Sequence, residues 1–329
     1  MAEISANHNQ DFGRAMTLIQ LAAEAGADSV KFQTYKPETM ALPSADFAVS
    51  ESHSLWGGIK LVDLYASAMT PWEWHSDLFN YARNLGLIPF SSPFDRTAVD
   101  FLENLDCPMY KIASLETGDV DLIEYVASTN KPMIISTGAS TLDEIAKAVE
   151  AAQGGGCRDL QLLVCTSSYP ADPNESHVRR METLRKEFEV EIGISDHTLG
   201  IGVALAAIAL GASTVEKHIT IRRTDGGHDA AFSMEPEEFK SLVNEGRIAR
   251  ASLGSAEWKI QPSEEESRRL RRSLFIVQDV RKGEIASRQN VSGLRPNLGG
   301  PIADISHILG RRFNQDYKAG MAATVDCVD

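Results

Sequence analysis

The chain has 329 residues, 43% of them hydrophobic, and a formal net charge of −14. That length supports one large domain plus a small one, and the acidic balance counts against nucleic acid or an anionic membrane as partner, because both reward a basic face. No apolar run reaches membrane-spanning length, and the start, Met1-Ala-Glu-Ile-Ser, shows neither a basic n-region nor an apolar h-region, so neither a membrane span nor a secretory signal is expected.

In chain order, short β-like runs alternate with helical patterns over the first 250 residues or so. The predicted strands are Glu3–Ser5, Ser29–Thr34, Ile88–Ser92, Met109–Ala113, Met133–Thr137, Leu160–Thr166, Glu191–Asp196 and Ser213–His218. After the first, Asp11 is placed to cap a helix with Phe12, Ala15, Met16, Ile19 and Ala23 on one stripe. Tyr35 to Met69 is the one long connection. It holds Ser54-Leu55-Trp56-Gly57-Gly58 and an amphipathic piece, Leu61–Ala68, and reads either as a rim over a site or as a surface excursion. Thr70-Pro71-Trp72-Glu73 has the form of a capping box with Pro at the first helical position. Gly154-Gly155-Gly156 reads as a turn after a helix, and Ser233 is placed to open the last helix, with Phe239, Leu242, Val243 and Ala249 at helical spacing. Eight βα units over about 250 residues match the size of a (β/α)8 barrel, a TIM barrel in the α/β class, whose functional face is the C-terminal end of the strands.

Past Gly254 the pattern changes. We expect domain boundaries at 1–254 for the barrel, 255–272 for a polar linker and 273–329 for a compact β-rich module. The module carries an internal echo: Asp279-Val-Arg-Lys-Gly283 returns 37 residues later as Asp316-Tyr-Lys-Ala-Gly320. Arg268 to Asp329 holds 11 Lys and Arg against 6 Asp and Glu, a basic tail on an acidic body, which suggests that the two dock, within one chain or between chains. Cys107, Cys157, Cys165 and Cys327 are widely spaced with no Cys-x-x-Cys, which argues against a zinc knuckle or a disulfide framework and fits a reducing cytoplasm.

Side chains alternate along a strand, so Ser195 shares a face with His197, and Glu216 with His218. Two adjacent parallel strands would then bring both imidazoles to one side of the barrel mouth. Two His are too few for a catalytic zinc site, and a harder cation that keeps waters or takes substrate oxygens, Mn²⁺ or Mg²⁺, suits the open count. Local hydrogen bonding of each His at its strand end is the simpler alternative. The other strand ends offer Glu3 and Asn7, Lys31 and Gln33, Ser91 and Ser92, Lys111 and Ser114, Ser136 and Gly138, and Ser167 and Tyr169. A lysine in an apolar strand is costly to bury unless it meets an anion, so Lys31 and Lys111 point to phosphate or carboxylate. The serines suit the same oxygens, although each taken singly is more readily a cap for the following helix. No Walker A or Gly-x-Gly-x-x-Gly loop is present, which speaks against nucleotide. The residues by themselves lead to a barrel enzyme for a phosphorylated or carboxylated small molecule beside a divalent metal.

Ala2-Glu-Ile-Ser-Ala-Asn-His8, Val30-Lys-Phe-Gln33, Phe90-Ser-Ser-Pro93, Tyr110-Lys-Ile-Ala-Ser114, Ser136-Thr-Gly138, Cys165-Thr-Ser-Ser-Tyr-Pro170, Ser195-Asp-His-Thr-Leu-Gly200 and Glu216-Lys-His218 together resemble the sialic acid (nonulosonate) synthase family over essentially the whole chain. The tail, with Arg272-Ser-Leu-Phe-Ile-Val277, Lys282-Gly-Glu284 and Leu294-Arg-Pro296, resembles that family's antifreeze-like (SAF) domain. Glu3-Ile-Ser-Ala-Asn-His8, Ser54-Leu-Trp-Gly-Gly58 and Tyr65–His75 are most similar to the pseudaminic acid branch, as is Ser at position 167, where the neuraminate branch tends to carry Asn. The resemblance implies metal-dependent condensation of phosphoenolpyruvate (PEP) with the open-chain form of an N-acylated amino sugar. By the same resemblance His197 and His218 hold the metal, and Lys31, Ser92, Lys111, Ser114, Ser136, Ser167 and Ser195 hold PEP. Glu3 handles protons around the attacking water, and Gln33, Tyr169 and Asp229 meet the sugar. Arg295 reaches in from the tail of the other subunit of a domain-swapped homodimer. His228 is expected to be a solvent-exposed loop residue. Neuraminate or legionaminate synthesis is the alternative within the same chemistry, and a non-catalytic sugar-binding protein the alternative outside it.

Overall fold

A computed structural model describes residues 1–44, 47–51 and 55–329. The chain divides into two compact units, Met1–Gly254 and Ser255–Asp329.

In the first unit eight parallel strands close into a barrel in sequence order: β1 (Ala2–Glu3), β2 (Ser29–Thr34), β3 (Ile88–Pro93), β4 (Tyr110–Ile112), β5 (Met133–Ser136), β6 (Leu160–Cys165), β7 (Glu191–Ser195) and β8 (Val215–His218), with β1 paired to β8. The strands are those expected, several of them shorter by one or two residues. Ser5 leaves β1 because its φ of 51° turns the backbone into a 3-10 turn over Ser5–His8. The register sets Glu3 beside Lys31 on one side and His218 on the other, Gln33 beside Ser92, and Ser195 beside Glu216. Alternation turns Val30, Phe32 and Thr34 toward the helical layer, where Phe32 packs edge-on to Phe79, and turns Lys31 and Gln33 inward.

The helices cover the barrel with apolar stripes. Asp11 caps Phe12–Glu24 as expected, accepting from Arg14 N at 3.0 Å, but the fully buried stripe is Ala15, Leu18, Ile19 and Ala22, with Phe12, Met16 and Ala23 at its margin. Three local expectations are corrected. Thr70 caps nothing; its hydroxyl is buried against His8 Nε2, and the helix begins only at His75 after a 3-10 turn over Trp72–Trp74. Ser233 does not open the last helix, Pro236–Ser252, because Glu235 and Glu238 form its capping box while Ser233 donates to the Asp229 carbonyl. Gly154 and Gly155 belong to the helix Leu142–Gly155, where a Cβ on Gly155 would stand 2.7 Å from Ala127 Cβ, so glycine permits the close approach of the neighbouring helix; only Gly156, with φ 116°, is the cap.

In the second unit residues 255–272 are exposed throughout and contain two short helical turns, Pro262–Glu264 and Glu265–Arg269. Beyond them β9 (Ser273–Ile276) and β10 (Val291–Leu294) pair antiparallel over a core of Leu274, Ile276, Val280, Val291, Ile308 and Phe313. The sequence echo is a real pseudo-two-fold. Lys282 N donates to Asp316 Oδ1 at 2.8 Å while Ala319 N donates to Asp279 Oδ1 at 2.9 Å. Gly283 N donates to the Phe313 carbonyl while Gly320 N donates to that of Ile276, both at 2.8 Å, and Val280 and Tyr317 exchange both backbone bonds. Gly283 and Gly320 both have positive φ, 85° and 92°, which is why glycine recurs at the echo.

Candidate active site

At the C-terminal ends of the strands a cavity of about 370 Å³ opens. Its lining includes Lys31, Gln33, Lys111, Ser114, Ser136, Tyr169, Ser195, His197, His218 and Asp229, so most of the expected residues converge. Glu3 and Ser92 lie against the same group: the Lys31 ammonium is ion-paired to Glu3 and donates to Ser92 Oγ at 3.3 Å. Ser91, the neighbouring strand-end serine, is turned outward and shares hydrogen bonding with Thr34 in the layer under the helices.

Between the two lysines stands Glu216, 3.9 Å from each ammonium, with Ser195 Oγ donating to it at 2.9 Å. Burial pushes its carboxyl up, but Lys111, Lys31 and the Ser195 bond outweigh that and hold it at about 2, so it is a fixed anion. Glu3 goes the other way. Burial, with Glu216 adding to it, lifts its carboxyl to about 7 against the opposing pull of Lys31. Lys111 shares Glu216 with Lys31 and donates to the Ile112 carbonyl at 3.2 Å, and burial lowers its pKa against the pull of Glu216. Buried side-chain atoms without a hydrogen-bond partner gather here: Ser136 Oγ, Glu216 Oε2, Glu116 Oε2 and His218 Nδ1 all belong to residues of the lining. Such atoms are costly unless a ligand meets them.

A cradle lies around Gly138. Its N–H donates to Ser114 Oγ at 3.1 Å, and a Cβ built on it would fall 2.2 Å from Ser167 Oγ and 2.8 Å from Ser114 Oγ. Ser167 thus joins the group across the glycine. Two hydroxyls flank the glycine, and Ser114 shares the cavity lining with both lysines, an arrangement suited to anionic oxygens.

The two imidazoles face each other with ring centroids 5.2 Å apart. His197 Nδ1 donates to the Thr166 carbonyl at 3.1 Å, which leaves Nε2 as the bare nitrogen. For His197 burial is outweighed by Cys165 and that carbonyl, both of which bear on Nδ1, whereas burial together with His197 and Lys31 keeps His218 neutral, far below the ordinary value. Among the described residues no cluster of three or more His, Cys, Asp or Glu is placed to hold a metal. Two imidazoles, one with its tautomer fixed from behind and one with an orphaned atom, fit a cation that completes its shell with waters or substrate oxygens.

Tyr169 stacks at a tilt 4.5 Å from His197, and Asp229 is held by the Ala6 N–H at 3.2 Å, burial pushing its carboxyl up. His228 is not the solvated loop residue expected. It is half-buried and lines the cavity, with Nε2 2.8 Å from Ser67 Oγ and its carbonyl accepting from Trp56 Nε1 at 3.0 Å. These bonds tie the Tyr35–Met69 connection to the segment after β8, and Tyr35, Met40, Val49, Trp56, Leu61, Leu64 and Tyr65 line the cavity. The connection is therefore a rim of the mouth; Ser54 of its expected motif lies outside the described residues. Arg295 belongs to the second unit, exposed next to Leu294 at the end of β10. Sequence reasoning missed Glu116, whose carboxyl burial lifts to about 7, although it follows Lys111 and Ser114 directly in the turn after β4.

The NeuB family model matches residues 18–258. The chain belongs to the NeuB family. Among its NeuB relatives, a pseudaminic acid synthase of Helicobacter pylori is 41% identical over 330 residues, covering 100% of this chain and 97% of that one. An N,N'-diacetyllegionaminic acid synthase of Legionella pneumophila is 37% identical and covers 97% of this chain and 91% of its own length. Among solved structures, an N-acetylneuraminic acid synthetase from Leptospira borgpetersenii in complex with citrate superposes with a TM-score of 0.71 at 32% identity, over 81% of this chain and 88% of that one.

Proposed function

We propose that this NeuB protein is a pseudaminic acid synthase: it condenses PEP with an open-chain 2,4-diacetamido-2,4,6-trideoxy-hexose of L-altrose type, giving a nine-carbon 2-keto acid and phosphate. The observation that carries the chemistry is the buried pair Lys31 and Lys111 in one cavity with Ser114, Ser136 and the two imidazoles. The whole-length likeness to pseudaminic acid synthases supports the choice of sugar. So does the rim, where Met40, Val49, Leu61, Leu64 and Ala68 offer apolar surface to the 6-methyl and acetyl methyl groups.

In this reading Lys31, Lys111 and the hydroxyls of Ser92, Ser114, Ser136, Ser167 and Ser195 hold the phosphate and carboxylate of PEP, and Gln33, Tyr169 and Asp229 orient the sugar. Mn²⁺ or Mg²⁺, held by His197 and His218, would polarise the aldehyde oxygen. PEP C3 forms the new bond to the aldehyde carbon as the C=O π bond opens onto its oxygen, which ends as a hydroxyl with a proton from the added water, and C2 is left electron-poor. Glu3, poised near neutrality, takes a proton from the water that adds at C2. The tetrahedral adduct then loses phosphate to leave the keto group. The basic second unit, proposed here as the SAF domain, would bring Arg295 to the sugar of the partner subunit in a domain-swapped homodimer, on the strength of its charge and the family. No helix among the described residues is long and apolar enough to cross a membrane. We place the protein in the cytoplasm, where PEP is made.

Incubation with PEP, Mn²⁺ and each of three sugars, the altrose-type 2,4-diacetamido sugar, its legionaminate precursor and N-acetylmannosamine, tests this by product mass and phosphate release. A nine-carbon product from the first sugar in preference is expected. Preference for either of the others moves the assignment to the legionaminate or neuraminate branch, and binding of sugar without phosphate release overturns the enzyme reading.

A further inference from the structure

Asp196, just past the end of β7, and Lys217, within β8, each directly precede a histidine of the pair and are not part of the cavity lining. Their side chains are each 1% exposed and meet at 3.0 Å from Lys217 Nζ to Asp196 Oδ2. The other oxygen of the same carboxylate is occupied as well: Asp196 Oδ1 accepts from Thr198 N at 2.8 Å and from Thr198 Oγ1 at 2.7 Å, while Lys217 Nζ donates to the Thr198 carbonyl.

The lock sits where the strand ladder ends. The strand register between β7 and β8 ends at Ser195 opposite Glu216, and Asp196 N to the Glu216 carbonyl, at 3.0 Å, is the last ladder bond. His197 therefore stands one residue past the ladder, and two residues beyond it Leu199 is already exposed. His218 is the last residue of β8, with its carbonyl accepting from Met234 N, while the His197 carbonyl, beyond the ladder, accepts from Ala171 N at 3.1 Å. One imidazole rides on a strand and the other on the start of a loop. The Asp196–Lys217 pair joins the backbones of both from behind, and Thr198, on the far side of His197, is bound to both members.

We infer that Asp196 and Lys217 are positioning residues that fix the spacing of the two imidazoles, and so set divalent-metal affinity without touching metal or substrate. A buried ion pair is a weak source of stability compared with an apolar pair of equal volume, so its use here is geometric. Groups behind a ligating histidine commonly set affinity in this way. The inference rests on the two-histidine metal site proposed above.

The test compares the wild type with the double variant Asp196→Asn/Lys217→Met, which leaves no lone buried charge. Mn²⁺ binding is read by the electron paramagnetic resonance of the free ion, and PEP binding to metal-free protein by calorimetry. The Mn²⁺ Kd should rise by about 10- to 100-fold while the PEP Kd stays within about twofold. Equal weakening of both overturns the inference, because a general loosening of the barrel would move both; so does an unchanged Mn²⁺ Kd. His197→Ala serves as the control for the underlying reading: if it leaves the Mn²⁺ Kd unchanged, the metal is elsewhere and the inference falls with that site. Should the double variant not fold, Thr198→Ala decides, since it removes one bond orienting the Asp196 carboxylate. A several-fold weaker Mn²⁺ Kd with PEP binding kept supports the pair, and no change overturns it.

Discussion

Lys31 is ion-paired to Glu3 across the register of β1 and β2, and both side chains are shut off from solvent. An ammonium this close would ordinarily hold a carboxyl well down, yet burial and the neighbouring Glu216 leave Glu3 at about 7. The pair thus combines a fixed cation with a carboxyl that can change protonation at working pH.

Glu3→Gln should lower kcat by about 10²- to 10⁴-fold, the usual worth of a positioned base, with a much smaller change in the KM for PEP. The wild-type profile of kcat against pH should show an inflection near 7 that the variant lacks. Steady-state rates between pH 5.5 and 9 decide this; an inflection that persists in the variant assigns the titration to another group.

Lys31→Met removes a cation from a water-poor site and leaves a phosphate or carboxylate unpaired. The KM for PEP should rise at least tenfold, or activity should vanish. Unchanged kcat and KM would show that the ammonium does no more than partner Glu3.

Gly138→Ala is expected to weaken PEP binding about tenfold or more at nearly unchanged thermal stability, because the new methyl would occupy the space between Ser114 and Ser167. Removing one of the hydroxyls it meets, in Gly138→Ala/Ser167→Ala, should not restore full affinity, since a donor is lost with the clash. Calorimetric titration of PEP into both variants measures it, and wild-type affinity in Gly138→Ala would remove the cradle from the anion site.

Glu116 gives a pH-dependent stability. Its folded pKa is lifted by burial from 4.5 to about 7, so between these values the folded chain holds a proton that the unfolded chain has released. Stability from this group is full below about pH 4.5 and is lost as pH rises through 7, by about 3 kcal/mol at most. Urea unfolding of Glu116→Gln beside the wild type should therefore favour the variant progressively from pH 5 to pH 8. A constant difference across that range would show Glu116 to be solvated.

What the sequence disclosed followed from period and cost. Period two along β7 and β8 placed Ser195, His197, Glu216 and His218 on one face, and lysines in apolar strands marked the anion site, because an unpaired buried charge is too expensive to be accidental. Glu116 and His228 were not legible, since both sit in irregular segments whose direction is set by partners remote in the chain, Ser67 and Trp56 for His228. The failed caps at Thr70 and Ser233 have separate causes: the Thr70 hydroxyl is buried against His8, whereas at the last helix Glu235 takes the cap position with Glu238 completing the box, and Ser233 bonds to the Asp229 carbonyl. Asp196 and Lys217, passed over as the residues between histidines, show that residues off the cavity lining can carry as much of a site as those on it.

The reciprocal bonding of the second unit determines how that unit comes apart. Val280 and Tyr317, Gly283 and Phe313, and Gly320 and Ile276 each pair a group in one half with a group in the other, about 30 to 45 residues away along the chain. Neither half can keep its turn without the other supplying the acceptor, so opening either edge strips hydrogen bonds from both. Such an arrangement leaves no stable half-folded species. The unit should melt in a single cooperative step, and amide exchange should report the same opening free energy at Lys282 as at Ala319, whose N–H groups are bound to the opposite aspartates.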